Sequence, residues 1–276
     1  MEADLSAGGP RLLILGDSWI RGLGTSKRTF GRMIAKSVHA SEVLDLSAIS
    51  RTAPDIAADH LDEIAEFAPQ VALVCVGGAD SLIFPAWTVQ RLIDRYAPKE
   101  WQGVEGMMPL ARYSRDRWPR IRQRVEQTVK VLMKQFLINV FGGRRRVTIA
   151  QLDVAVHQIL AVLDRSECDV VCIGFPRVDG WLSPKANASV AKTNVLLRAI
   201  MHAHPRATYI PTDSIVTRWD DYLPDHVHLN LRGHRNITDG VVAKLRETGF
   251  RWTDIPAGVA AMNGETTPAR SDEGDR

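Results

Sequence analysis

The chain has 276 residues, of which 45% are hydrophobic and 24% charged, with a net charge of +3. That is enough for one large domain with a full core, and no apolar run is long enough to span a membrane. Residues 1–10 lack the basic flank and apolar stretch of a secretory leader, and Cys75, Cys168 and Cys172 sit in apolar runs without metal-ligand spacing, so the expectation is a cytoplasmic chain with reduced core cysteines, no disulfide framework and no metal.

In chain order, residues 11–15 (RLLIL) read as a buried strand that ends in Gly16. Residues 31–39 have helical spacing, and 42–46 (EVLDL) are a second strand. Residues 54–67 predict one helix, with Ile56, Leu61, Ile64 and Phe67 roughly on one face. Residues 70–76 (QVALVCV) are a third strand, β-branched and stopped by Gly77-Gly78. Residues 87–146 then break the alternation: two or three amphipathic, Arg-rich helices without a convincing strand, interrupted by Pro98, Pro109, Pro119 and Gly142-Gly143. Alternation resumes with a helix at 149–163, a strand at 169–175 (DVVCIGF), a helix at 186–204, a short strand at 207–211 and a last helix at 233–248. Continuous apolar strands alternating with helices predict an α/β fold whose parallel sheet is covered on both faces. We read one domain over residues 1–253, an insertion or lid at 87–146, and a disordered tail at 254–276, with no internal repeat.

Charge is unevenly spread. Residues 91–146 carry 14 Lys or Arg against 5 Asp or Glu, a balance of +9, so the remainder sums to −6. Such a block attracts anions. No zinc-finger spacing, RNP pattern or basic heptad region accompanies it, which argues against nucleic acid. Arg112 and Arg115, in its densest part, are candidate substrate-binding residues, with a solvated helix face or salt bridges as the plainer reading. The nearby Trp87, Trp101 and Trp118 leave open a dimer interface or a membrane surface.

Two motifs carry chemistry. In open parallel sheets, ligands bind beyond the carboxyl ends of the strands. Gly16-Asp17-Ser18 follows the first strand directly and can present a hydroxyl there, although such pairs usually serve as helix caps. Near the other end, Asp225-His226-Val227-His228 precedes Asn230 and Gly233-His234. An Asp three residues before a His can orient an imidazole that accepts a serine proton. A plain helix-entry loop reads equally well from that stretch alone.

Taken together, Gly-Asp-Ser near the start, Asp-x-Val-His-x-Asn near the end and a five-strand α/β pattern between them resemble the SGNH (GDSL-type) hydrolase superfamily over about residues 11–249. The resemblance implies a three-layer α/β/α, flavodoxin-like fold with a five-stranded parallel sheet. It also implies Ser18 as nucleophile, completed by His228 and Asp225, with His226 and His234 outside the triad. An oxyanion hole would draw on the N–H groups of Ser18 and of Ser50, which stands where Gly is usual. Because Gly77-Gly78-Ala79-Asp80 lacks the family's Asn, either the Gly78 or Ala79 N–H substitutes for it, another side chain reaches in, or the hole is weaker. Asp17, Asp80 and Arg177 are further candidates for substrate contact, Arg177 alternatively pairing with Asp179.

The stretch from Gly77 to Leu82 (GGADSL) is also similar to that of mycobacterial diglucosylglycerate octanoyltransferase-like acyltransferases, which likewise carry an Arg- and Trp-rich helical insertion. That likeness implies an acyl-enzyme on Ser18 and transfer to a saccharide hydroxyl, as in methylglucose lipopolysaccharide synthesis. It needs no cofactor beyond an acyl donor such as acyl-CoA, and its partners are a small-molecule or saccharide acceptor and, conceivably, a second copy of the chain. An SGNH esterase, or a non-catalytic carbohydrate-binding scaffold, are the competing readings.

Overall fold

The computed structural model describes residues 9–23, 25, 28–103, 108 and 110–248. The expectations for residues 1–8 and for the tail lie outside the described residues. Five strands form one parallel sheet: β1 (Arg11–Gly16), β2 (Glu42–Asp45), β3 (Val71–Cys75), β6 (Asp169–Ile173) and β7 (Ala207–Ile210). Their order is β2-β1-β3-β6-β7, all parallel, which is the 2-1-3-4-5 order of flavodoxin-like folds. In that order the chain reverses direction between β1 and β3, so the ends of these two strands flank the switch point.

The central strands β1, β3 and β6 are apolar on both faces because helices cover both faces. On one side Leu12, Ile14, Leu73 and Val171 pack against α2 (Phe30–Ser37) and α10 (Leu231–Glu247) through Phe30, Ile34, Ile237 and Val241. On the other, Leu13, Leu15, Ala72 and Val170 meet α3 (Ala53–Asp59), α4 (Leu61–Phe67) and α8 (Ile149–Arg165) through Ile56, Ile64, Leu152 and Ile159. Helix α9 (Ala186–Ala203) is shared, with Val190 in the first core and Leu197 and Met201 in the second. Thr148 caps α8 in a reciprocal box with Gln151, and Asn230 caps α10 by accepting from the Arg232 and Gly233 N–H groups.

Two elements differ from the sequence reading. The helix expected over 54–67 is two helices, because His60 leaves the helical region (φ −130°, ψ 4°) and serves as C-cap of α3 and N-cap of α4. A straight helix would set Ile56 and Ile64 about 80° apart, and the break lets both point at the sheet, where both are fully buried. The insertion also contains a strand: β5 (Gly143–Arg145) pairs antiparallel with β4 (Ile83–Pro85). The short α5 (Gly78–Ser81) precedes β4, and between β4 and β5 run α6 (Trp87–Tyr96), a 3-10 turn (Lys99–Trp101) and the long α7 (Arg117–Val140). Val89 and Ile93 of α6 pack on Met133 and Leu137 of α7.

Candidate active site

Strand β1 delivers the nucleophile candidate. Gly16 has no room for a side chain: a Cβ there would lie 2.5 Å from the Cys75 carbonyl oxygen and 2.6 Å from Ile20. The chain therefore leaves β1 flush against β3, and Ser18 opens the short helix α1 (Ser18–Arg21) at the sheet's carboxyl edge. Asp17 caps that helix. Its Oδ1 accepts the Trp19 N–H (2.8 Å) and its Oδ2 accepts the Ala79 N–H (2.6 Å), tying the end of β1 to the loop after β3.

The loop from 221 to 230 brings the imidazole. Asn230 N–H donates to the Asp221 carbonyl and Leu223 N–H to the His228 carbonyl (2.7 Å), which closes a tight loop at the entry to α10. Within it, Asp225 Oδ1 accepts the N–H groups of Val227 and His228, each at 3.0 Å, and Oδ2 lies 2.6 Å from His228 Nδ1. A carboxylate only accepts, so Nδ1 carries the proton and Nε2 presents a lone pair. Nε2 lies 2.8 Å from Ser18 Oγ. Asp225 and His228 are buried. Hydroxyl, imidazole and carboxylate thus form one hydrogen-bonded chain.

The other expected residues fall out differently. Asp17 and Asp80 are buried structural acids. Burial raises the pKa of Asp17, against the Trp19 and Ala79 N–H groups and the charges of His228 and Arg146, which lower it. Asp80 accepts from the Ala53 and Gly77 N–H groups, each at 3.0 Å, joining α3 to the loop after β3. Burial pushes its pKa up to about 6, with the Ala53 N–H opposing and the Asp17 charge assisting. Neither carboxylate is free for a substrate. Ala79 N–H is spent on Asp17, which removes it from the candidate oxyanion donors. Gly78 remains, wedged so closely that a Cβ would lie 2.5 Å from both Asp17 Oδ2 and the Phe175 ring. Ser50 sits in a turn closed by Arg51 N–H to Ala48 O (3.3 Å) and has φ of 58°. That left-handed conformation favours glycine, and this chain adopts it with a serine.

Arg177 is exposed and has no side-chain partner among the described residues. Its expected partner is taken: Asp179 Oδ2 holds His226 Nδ1 (2.7 Å) and Oδ1 accepts the Trp181 N–H (2.8 Å). His226 has φ of 51° and stacks on Trp219 (5.1 Å between centroids). His234 is fully buried. Its Nδ1 accepts the Phe30 N–H (3.3 Å), and burial, then the charge on His228, lowers its pKa to about 4. Arg112 and Arg115 are exposed, in the segment before α7. Burial raises the Tyr113 pKa, with the Arg124 charge opposing and the Asp225 charge assisting. The insertion also grips the loop after β6, through Gln135 to the Trp181 carbonyl (2.8 Å) and Lys185 to the Ile138 carbonyl (3.2 Å).

Sequence reasoning did not single out Arg146. It leaves β5 opposite Leu82, one step beyond the glycine loop, and its Nη2 lies 4.0 Å from Asp55. Its Nη1 is buried without a hydrogen-bond partner among the described residues. The only signal in the sequence is a third consecutive arginine at the close of the insertion.

No protein-family model matches the chain, and no curated protein matches it by sequence. Solved structures do share its fold. An esterase, EstA, from Pseudoalteromonas sp. superposes with a TM-score of 0.51 at 9% identity, covering 86% of this chain and 97% of that one. A lipase/acylhydrolase from Enterococcus faecalis gives 0.53 at 11% identity, covering 86% and 96%. An acetylxylan esterase from Geobacillus stearothermophilus gives 0.53 at 13% identity, covering 89% and 96%.

Proposed function

We propose that this chain is a serine acyl-transfer enzyme of SGNH type that esterifies a saccharide hydroxyl through an acyl-enzyme on Ser18. The reading rests above all on the chain from Ser18 Oγ through His228 to Asp225, at 2.8 Å and 2.6 Å. Ser18 Oγ attacks the donor carbonyl while its proton passes to His228 Nε2. Asp225 holds the Nδ1 proton and stabilises the imidazolium that results. The protonated His228 then gives its proton to the leaving group as the tetrahedral intermediate collapses. In the second half the acceptor hydroxyl gives its proton to His228 Nε2 as it attacks the acyl carbon, and on collapse the protonated His228 returns that proton to Ser18 Oγ, which leaves as the free hydroxyl.

Negative charge on the tetrahedral oxygen needs fixed donors, each worth a few kcal/mol in such sites. The Ser18, Ser50 and Gly78 N–H groups are the backbone candidates. With Ala79 committed to Asp17 and no Asn in that loop, Arg146, whose Nη1 has no hydrogen-bond partner among the described residues, is added as a candidate side-chain donor. No metal is required for these steps. The donor would be an acyl-CoA or another activated ester. Transfer to saccharide is favoured by the similarity of residues 77–82 to the octanoyltransferase-like enzymes, and by an insertion that packs on the loops beside the nucleophile and can exclude water. The reading of a plain esterase draws on the structural neighbours, which include an esterase and an acetylxylan esterase.

The deciding experiment supplies short acyl-CoA or p-nitrophenyl esters with and without a glucosylglycerate-type acceptor. Acyl-saccharide that forms only with active Ser18 supports transfer. Ester hydrolysis at a rate no saccharide changes, with no acylated saccharide detected, refutes it in favour of an esterase.

A further inference from the structure

Helix α7 carries apolar residues on two opposite sides, and among the described residues only one of these sides is buried. Val131 and Ile138 face inward with Gln127, Lys130 and Lys134. Trp118, Ile121, Val125, Val129, Leu132, Phe136 and Val140 face outward, each between 44% and 78% exposed. Their spacing of 3, 4, 4, 3, 4 and 4 residues keeps them in one straight stripe along the helix. At 1.5 Å per residue the stripe is about 33 Å long. Phe141, packed edge-on against Phe136, and Trp181, whose carbonyl is held by Gln135, are exposed beside it.

We infer that this stripe lies on an anionic lipid bilayer, parallel to its surface, and docks the enzyme there. Charge is the first argument. One margin of the stripe carries Arg117 and Arg124, and Arg122 stands at its edge, all exposed. The single acid of the helix, Glu126, is paired with Lys130 (3.1 Å). An apolar face bordered by arginines matches acyl chains beneath anionic headgroups. A second copy of the helix offers no carboxylates to those arginines, whichever way it runs. Spacing is the second argument. The repeat of 11 residues in three turns is 3.67 per turn, close to a straight helix, which suits a flat surface. A left-handed helix pair needs 3.5. The helix lies on the bilayer and does not cross it: among the described residues no helix is long and apolar enough to span one.

The proposal is independent of which acyl reaction Ser18 performs, and its test uses the full chain. Co-sedimentation is measured with vesicles of phosphatidylcholine, with and without phosphatidylglycerol, at about 0.1 M and 1 M NaCl, where the screening length falls from about 10 Å to 3 Å. Association with the anionic vesicles is expected, weakened at least tenfold by high salt or by omitting the anionic lipid. Arg117→Gln with Arg124→Gln should weaken it about twenty-five-fold, at roughly fivefold per charge. Leu132→Ser with Phe136→Ser should abolish it, with circular dichroism and fluorophosphonate labelling unchanged because these side chains are outside the core. Should the serines disturb the helix, the nearly isosteric Val125→Thr and Val129→Thr pair must weaken binding in the same direction. Failure to bind anionic vesicles overturns the proposal, and so does equal binding by the stripe variants. A stable dimer in sedimentation velocity that the stripe substitutions dissociate also overturns it, because a second copy then covers the face.

Discussion

Ser18 and His228 are 210 positions apart, yet their reacting atoms are 2.8 Å apart. What fixes that distance is not the pair itself but the groups behind it. Asp225 accepts two peptide N–H groups of its own loop while holding the imidazole, so the ring needs no reorganisation when it becomes charged. His228→Ala should therefore slow Ser18 acylation at least about a thousandfold with melting temperature little changed, a result readable by stopped-flow with an activated ester. His234 does a different job. Its pKa is lowered to about 4 by burial first and His228 second, against 6.5 when unfolded. A depressed base stabilises the fold above pH 6.5, and that contribution fades as pH falls toward 4. Between pH 7.5 and 5 the loss amounts to about 2 kcal/mol. Asp80, with its raised pKa, gains stability over the same range, so the His234 contribution is read as a difference: the change between those two pH values in urea melts should be about 2 kcal/mol less favourable in the wild type than in His234→Gln.

At the scale of elements, the strands carrying the site were legible because buried parallel strands are continuous apolar runs, and 11–15, 70–76 and 169–175 are such runs. The helix break at His60 was not legible, since no Pro or Gly marks it. Nor was β5: three residues, two of them Arg, form a strand only because β4, some 60 residues earlier, is there to pair with it. The Gly-Asp-Ser and Asp-x-x-His motifs contain the side chains that the fold brings within hydrogen-bonding distance. The carboxylates of Asp17 and Asp80 misled, because an acid beside a catalytic motif looks like a ligand until its hydrogen bonds are counted. Gly78 illustrates how closely these loops are fitted. Gly78→Ala would drive its methyl against Asp17 and Phe175, displacing the cap of α1. We expect Ser18 labelling to slow by tenfold or more, since misplacement by about 1 Å costs on the order of a hundredfold. Thr148→Ala, which removes the distant cap of α8, should cost about 1 kcal/mol in urea melts and leave labelling at the wild-type rate.

For the molecule as a whole, the acidic core and basic insertion divide the work. The α/β core supplies the edge on which serine and histidine meet, and the insertion is tied to the loop after β6 by Gln135 to the Trp181 carbonyl and Lys185 to the Ile138 carbonyl. The sequence disclosed an Arg-rich amphipathic region but not its exposed stripe, because α7 is apolar on two faces and only packing decides which is covered. Everything functional still depends on Ser18 being a nucleophile activated by His228. The most direct test is intact-mass analysis after exposure to a fluorophosphonate. The account predicts one adduct per wild-type chain, on Ser18, none on Ser18→Ala, and strongly slowed addition to His228→Ala. A Ser18→Ala chain that still takes up the label at the wild-type rate would contradict it.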